Sequence, residues 1–124
     1  MTLFISDLDG TLLNTNQELS QNTIGIINDL IENRKLNFTI ATARSLNSTM
    51  PLVNQLMLKH PIILDNGIFI YDPVKKKNIR ELFLDFKFSK DLIKVLLSKN
   101  YHPIVHAFDT NNNHKVFYQD IGRF

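Results

Sequence analysis

Apolar residues along this chain fall into short runs and helical stripes that alternate. Leu3 to Leu8 is an apolar run broken only by Ser6 and Asp7 and closed by Asp9-Gly10-Thr11, which reads as a buried strand ending in a turn. Ser20 is placed to cap a helix carrying Ile24, Ile27, Leu30 and Ile31 on one stripe and closed by Asn33-Arg34-Lys35. A second strand is expected over Leu36 to Ala41. Ser48 then caps a helix from Thr49 to about Leu58, with Pro51 tolerated in its first turn and Leu52, Val53, Leu56 and Met57 as the buried stripe. After His60-Pro61 come a strand, Ile62 to Leu64, and the turn Asp65-Asn66-Gly67. A hairpin follows, running from Ile68–Tyr71 to about Ile79–Leu84 through Asp72-Pro73 and Lys75, Lys76 and Lys77, whose charges suit a solvated tip.

The order strand, helix, strand, helix, strand predicts right-handed crossovers, a parallel sheet covered by helices, and a site at the carboxyl ends of the strands. From Ser89 the pattern changes to one helix (Leu92, Ile93, Leu96, Leu97) and two strands, Pro103–Phe108 and Lys115–Tyr118, joined by Asp109 to His114. This reads as the opening of a second, smaller α+β unit. We therefore expect two parts, 1–84 and 85–124.

The 124 residues, 44% of them hydrophobic, are enough for one core. The net charge of +2 comes from scattered lysines rather than a basic stripe, which suits a small anionic ligand and argues against nucleic acid. With no cysteine, a disulfide framework or thiolate metal site is impossible. Asp7 comes too early for a signal peptide and no apolar run is long enough to span a membrane, so a cytoplasmic protein is expected.

The chemistry gathers where the strands end. Asp7 and Asp9 crowd two carboxylates, which favours a cation beside them, and hard oxygen donors suit Mg²⁺. Gly10 permits a sharp departure from the strand. A bare Asp-x-Asp at a strand end also serves as a turn former or helix cap. The whole run Phe4-Ile5-Ser6-Asp7-Leu8-Asp9-Gly10-Thr11-Leu12-Leu13, however, closely resembles the first motif of the haloacid dehalogenase superfamily. Ile40-Ala41-Thr42-Ala43-Arg44 resembles its second motif, and Ile63-Leu64-Asp65-Asn66-Gly67-Ile68-Phe69-Ile70 resembles the Asn-Gly turn of the Cof-type sugar-phosphate phosphatases.

The resemblance covers Leu3 to about Leu84 and implies a partial Rossmann-like α/β core with helices on both faces of its parallel sheet, followed by the start of an α+β cap. It implies that Asp7 is the nucleophile and Asp9 the general acid and base. Mg²⁺ would be held by one Asp7 oxygen and the backbone carbonyl of Asp9. Thr11, Thr42, Arg44 and Asn66 would form the substrate-binding edge, and the substrate would be a small phosphorylated metabolite. Ala43 stands where the subfamily has glycine, and a positive φ there would strain it.

The subfamily's phosphate-binding lysine and its later Gly-Asp-x-x-Asn-Asp motif have no counterpart. Asp109 and Asp120 lack that context, and Lys90, Lys94, Lys99 and Lys115 lie in the cap-like segment. The expectation is a truncated enzyme, inactive or nearly so by itself, with a non-catalytic phosphate-binding or regulatory module as the alternative. The resemblance also puts Leu3–Leu8 in mid-sheet, beside a strand that these residues do not include, which predicts homo-oligomers through an uncovered edge. His102 and His106 have helical metal spacing, but Pro103-Ile104-Val105 favours a strand that separates them.

Overall fold

The computed structural model describes residues 2–109 and 114–118. Residues 110–113, Asp120 and the rest of 119–124 lie outside the described residues. Two compact units divide the chain, Met1–Phe83 and Leu84–Phe124.

In the first unit, β1 (Phe4–Ser6) pairs in parallel with β2 (Phe38–Ile40), with Phe4 opposite Phe38 and Ser6 opposite Ile40. The crossover between them is α1 (Gln21–Glu32). Ser20 caps it as its position predicts, accepting from the Thr23 amide at 3.0 Å, and Ile24, Ile27 and Ile31 form its buried stripe. All three residues of β2 are buried. The hydroxyl of Thr39 stays satisfied there by donating to the Pro61 carbonyl at 2.7 Å.

β1 is shorter and more exposed than its apolar run suggests. The ladder ends where Ala41 N–H donates to Ser6 O at 2.9 Å, because the backbone then winds into the turn Leu8–Leu12. Only Leu8 of the run is buried; Leu3, Phe4 and Ile5 are 45%, 53% and 52% exposed, since β1 has a neighbour on its β2 side alone among the described residues.

α2 runs from Leu46 to Val53 and follows Ser45, so it begins earlier than Ser48 and ends well before Leu58. Ser48 lies inside the first turn, where its hydroxyl donates to the Ser45 carbonyl at 3.1 Å. Pro51 consequently sits inside the helix. β3 (Ile62–Leu64) touches β2 through a parallel bridge between Ala41 and Ile63. β4 (Phe69–Asp72) folds back antiparallel on β3, a pairing the sequence pattern did not indicate. β5 (Lys77–Glu81) completes the expected hairpin, with a register shift at Ile70/Tyr71. The core is built on Leu8, Ile40, Val53, Ile62 and Leu64.

The second unit holds α3 (Phe86–Ser98), capped by Asp85, and the antiparallel pair β6 (Val105–Phe108) and β7 (His114–Phe117). Asp85 accepts from the Phe88 amide at 3.0 Å, which starts the helix three residues before Ser89. No described helix is long and apolar enough to cross a membrane.

Candidate functional site

The parallel register sets the geometry of the site. Because Ser6 lies opposite Ile40, the residues that follow each strand, Asp7 on one side and Ala41-Thr42 on the other, leave the sheet at the same edge. Asp7 remains extended (φ −75°, ψ 163°) and is exposed. One of its carboxylate oxygens, Oδ1, accepts from the Leu8 amide at 2.6 Å, which leaves Oδ2 for an electrophile. Leu8 is fully buried and anchors the loop between the two acids. Gly10 then takes φ 70°, a left-handed conformation that costs glycine little, and Leu13 N–H closes the turn onto Leu8 O at 3.0 Å.

The Asp9 side chain meets the loop that follows the second strand. Arg44 donates to it twice, Nε to Oδ2 at 2.8 Å and Nη2 to Oδ1 at 2.7 Å, a bidentate ion pair across 35 residues. These hydrogen bonds from Arg44 hold the Asp9 carboxyl below the usual range and raise the guanidinium above its own. Both Asp9 side-chain oxygens are thereby engaged.

Thr42 is buried at the end of β2. Its N–H donates to Ile63 O at 3.0 Å, its carbonyl accepts from Asn66 N–H at 3.2 Å, and its Oγ1 accepts from Arg44 N–H at 3.1 Å. The hydroxyl proton stays available to an anion. The Arg44 carbonyl accepts from Asp65 N–H at 3.0 Å, so the second and third strand-end loops are stitched together through their backbones. Asp65, Asn66 and Gly67 all have positive φ, which Asp and Asn tolerate better than other side chains. Ala43 is not among the positive-φ residues, so the substitution of glycine there strains nothing.

The structure thus joins Asp9 and Arg44 directly and ties Thr42, Arg44 and Asn66 together. Asp7 reaches the group by its place at the same sheet edge, and Thr11 lies exposed in the turn. Sequence reasoning missed Gln17, whose Oε1 accepts from Arg44 Nη2 at 3.2 Å. Nothing in the polar run Asn14-Thr15-Asn16-Gln17 distinguishes it.

The donor set for a metal is hard oxygen. Asp7 Oδ2 accepts no hydrogen bond among the described residues, whereas the Asp9 carboxylate is committed to Arg44, so any contribution from Asp9 falls to its backbone carbonyl. These donors fit Mg²⁺, an ion that keeps several waters. Among the described residues no group of three or more His, Cys, Asp or Glu side chains comes together to hold a metal. His106 lies on β6 with Nδ1 3.0 Å from His114 Nε2, not beside His102 as a helical pair would be.

An α/β sheet with an acidic turn after its first strand and a polar loop after its second puts the candidate site at the carboxyl ends of the strands. The chain belongs to the haloacid dehalogenase-like hydrolases, whose family model matches residues 4–121. It is 31% identical over 104 residues to a 5-amino-6-(5-phospho-D-ribitylamino)uracil phosphatase of Bacillus subtilis, covering 83% of this chain and 38% of that protein. It is 35% identical over 66 residues to an HMP-PP phosphatase of Serratia proteamaculans, covering 53% of this chain and 24% of the relative. A crystal structure of a Thermotoga maritima protein superposes with a TM-score of 0.68 at 30% identity, over 92% of this chain and 41% of the other. The chain spans well under half the length of these relatives.

Proposed function

We propose that this chain carries the nucleophile-bearing part of a Mg²⁺-dependent phosphatase of sugar phosphates or related phosphometabolites, working in the cytoplasm. The observation that carries the reading is Asp7, exposed at the end of β1 with one oxygen held and the other free, at the sheet edge that also presents Thr42. The phosphatase relatives support the reaction class. The unit Leu84–Phe124 is read as the beginning of the cap.

In the proposed reaction Asp7 Oδ2 attacks phosphorus, and the bond from phosphorus to the ester oxygen breaks as Asp9 gives that oxygen a proton. An aspartyl-phosphate remains on Asp7. Asp9 then takes a proton from water as the water oxygen attacks phosphorus and the bond to Asp7 breaks, releasing phosphate. Thr42 Oγ1 holds a phosphate oxygen. Asp7 and the Asp9 carbonyl would hold Mg²⁺, which when bound would supply charge neutralisation. Because Asp9 is paired with Arg44, Arg44 must release it, and a bound phosphate is a competing partner for the guanidinium.

The test is fluorine NMR of beryllofluoride with Mg²⁺. A bound resonance in the wild type that disappears in Asp7→Asn is expected, and binding that survives the substitution overturns the reading. Turnover of p-nitrophenyl phosphate by the 124 residues alone is expected near background, because they contain no counterpart of the phosphate-binding lysine or the later acidic motif. The pairing of both Asp9 oxygens favours one second reading, a non-catalytic phosphate-binding module. Phosphorylation of Asp7 by acetyl phosphate, mapped by mass spectrometry, would argue against it.

A further inference from the structure

We propose that Gln17 is a positioning residue: before substrate binds, its side-chain carbonyl holds the Arg44 guanidinium in the orientation that grips Asp9 and turns Nη1 to meet the substrate oxyanion that then draws Arg44 off. The inference rests on the reading of Asp9 and Arg44 as parts of a phosphate site.

Three observations converge on Gln17. First, it has φ 60°, a conformation that Gly or Asn would adopt at lower cost than Gln. Second, the loop is tied so as to impose that conformation. Asn14 N–H donates to Glu18 O and Gln17 N–H to Asn14 O, both at 2.9 Å, while Asn14 Oδ1 accepts from Asn16 N–H at 2.9 Å and Glu18 N–H at 3.0 Å. A left-handed residue held by its neighbours marks a place where side-chain direction matters.

Third, the side chain so directed ends on Arg44. One Nη2 hydrogen goes to Asp9 Oδ1 at 2.7 Å and the other to Gln17 Oε1 at 3.2 Å, while Nε donates to Asp9 Oδ2 at 2.8 Å. Nη1 has no hydrogen-bond partner among the described residues, so its two donors remain for a ligand.

The energetic logic is geometric. The Asp9 side chain is 49% exposed and that of Arg44 24%, and an ion pair this open to water contributes little unless its geometry is fixed. A third, neutral acceptor on the same nitrogen adds that fixation. Rotation about the Arg44 Nε–Cζ bond must break the Gln17 contact as well as the Asp9 contact, so the two Nη positions exchange slowly. Gln17 touches neither the nucleophile nor the reacting atoms; it acts through Arg44.

The experiment measures Nε–Cζ rotation of Arg44 by NMR on the full 124-residue chain, with Arg44→Lys identifying the signal. Slow rotation is expected in the wild type and in Gln17→Glu, which keeps an acceptor of the same length. Gln17→Gly and Gln17→Asn suit φ 60° and fold, but they cannot reach Arg44. Rotation in both should be about tenfold or more faster, the effect of losing one hydrogen bond to a charged group. Rotation as slow in Gln17→Gly and Gln17→Asn as in the wild type overturns the proposal, and so does fast rotation in the wild type. Inorganic phosphate with Mg²⁺ is added separately. Failure to perturb the Asp7–Thr11 and Thr42 amides would count against the phosphatase reading while leaving the Gln17 comparison intact.

Discussion

Gly10 shows how one residue shapes the nucleophile turn. At φ 70° and ψ 4° it reverses the chain after Asp9, and a Cβ built there meets no atom within 4 Å. Any cost of Gly10→Ala therefore comes from the left-handed backbone rather than from a clash. We expect a loss of about 1–2 kcal/mol in urea denaturation. A loss several times larger would mean that the turn rearranges. The need for glycine was legible in the motif, because an acidic strand end followed by Gly is a turn signal. Ala43 was not legible in the same way: where the resemblance suggested glycine, the backbone avoids positive φ, and only the path of the loop reveals it. Gln17 is the further case. Its role depends on Arg44, 27 residues away, and no local pattern carries that information.

At the scale of elements, α2 departs most from its sequence pattern. A cap at Ser48 would have kept Pro51 in the first turn, where proline is tolerated. Packing decides otherwise. Thr49 and Val53 are the buried positions of this helix, and the chain just before it is held by Asp65 N–H on Arg44 O, which brings the helix start forward and strands Pro51 inside it. Proline there lacks the N–H that would bond the Asn47 carbonyl. Pro51→Ala is expected to stabilise the protein by roughly 1–2 kcal/mol, the helix cost of proline of ~3 kcal/mol being partly offset by the freedom alanine returns to the unfolded chain. Thermal denaturation with a lowered melting temperature would contradict it.

The β4–β5 turn gives a prediction in pH. Asp72 Oδ1 accepts from the Val74 and Lys75 amides, each at 2.9 Å, and hydrogen bonding from the Lys75 backbone, then from Val74, lowers its carboxyl below the usual value. A depressed folded-state pKa means a contribution to stability that is present above the unfolded pKa. It is lost as pH falls through the lower folded one. The melting temperature of the wild type should therefore fall faster in acid than that of Asp72→Asn, the two curves converging below the folded pKa. Parallel curves would show that Asp72 does not contribute in this way.

Across the whole molecule, the open flank of β1 is the feature with the largest consequence. Leu3, Phe4 and Ile5 are each about half exposed, and among the described residues the strand is paired only with β2. Unpaired backbone groups beside apolar side chains form a template for another chain. We propose that a second copy covers this edge, and we expect light scattering to show a mass that rises with concentration and a weaker rise in Ile5→Lys. A monomer throughout the series would overturn this. The alternation of strands and helices, the Ser20 cap, the α1 stripe and the Asp7-Leu8-Asp9-Gly10-Thr11 turn were determined by sequence alone, because each follows from side-chain period, capping chemistry or backbone preference within a few residues. The return of β4 onto β3, the start of α2, and the joining of Arg44 to Asp9 and Gln17 were decided only by tertiary structure. These contacts bring together residues far apart in the chain, and their energies depend on which backbone hydrogen bonds and buried faces remain once the sheet has formed.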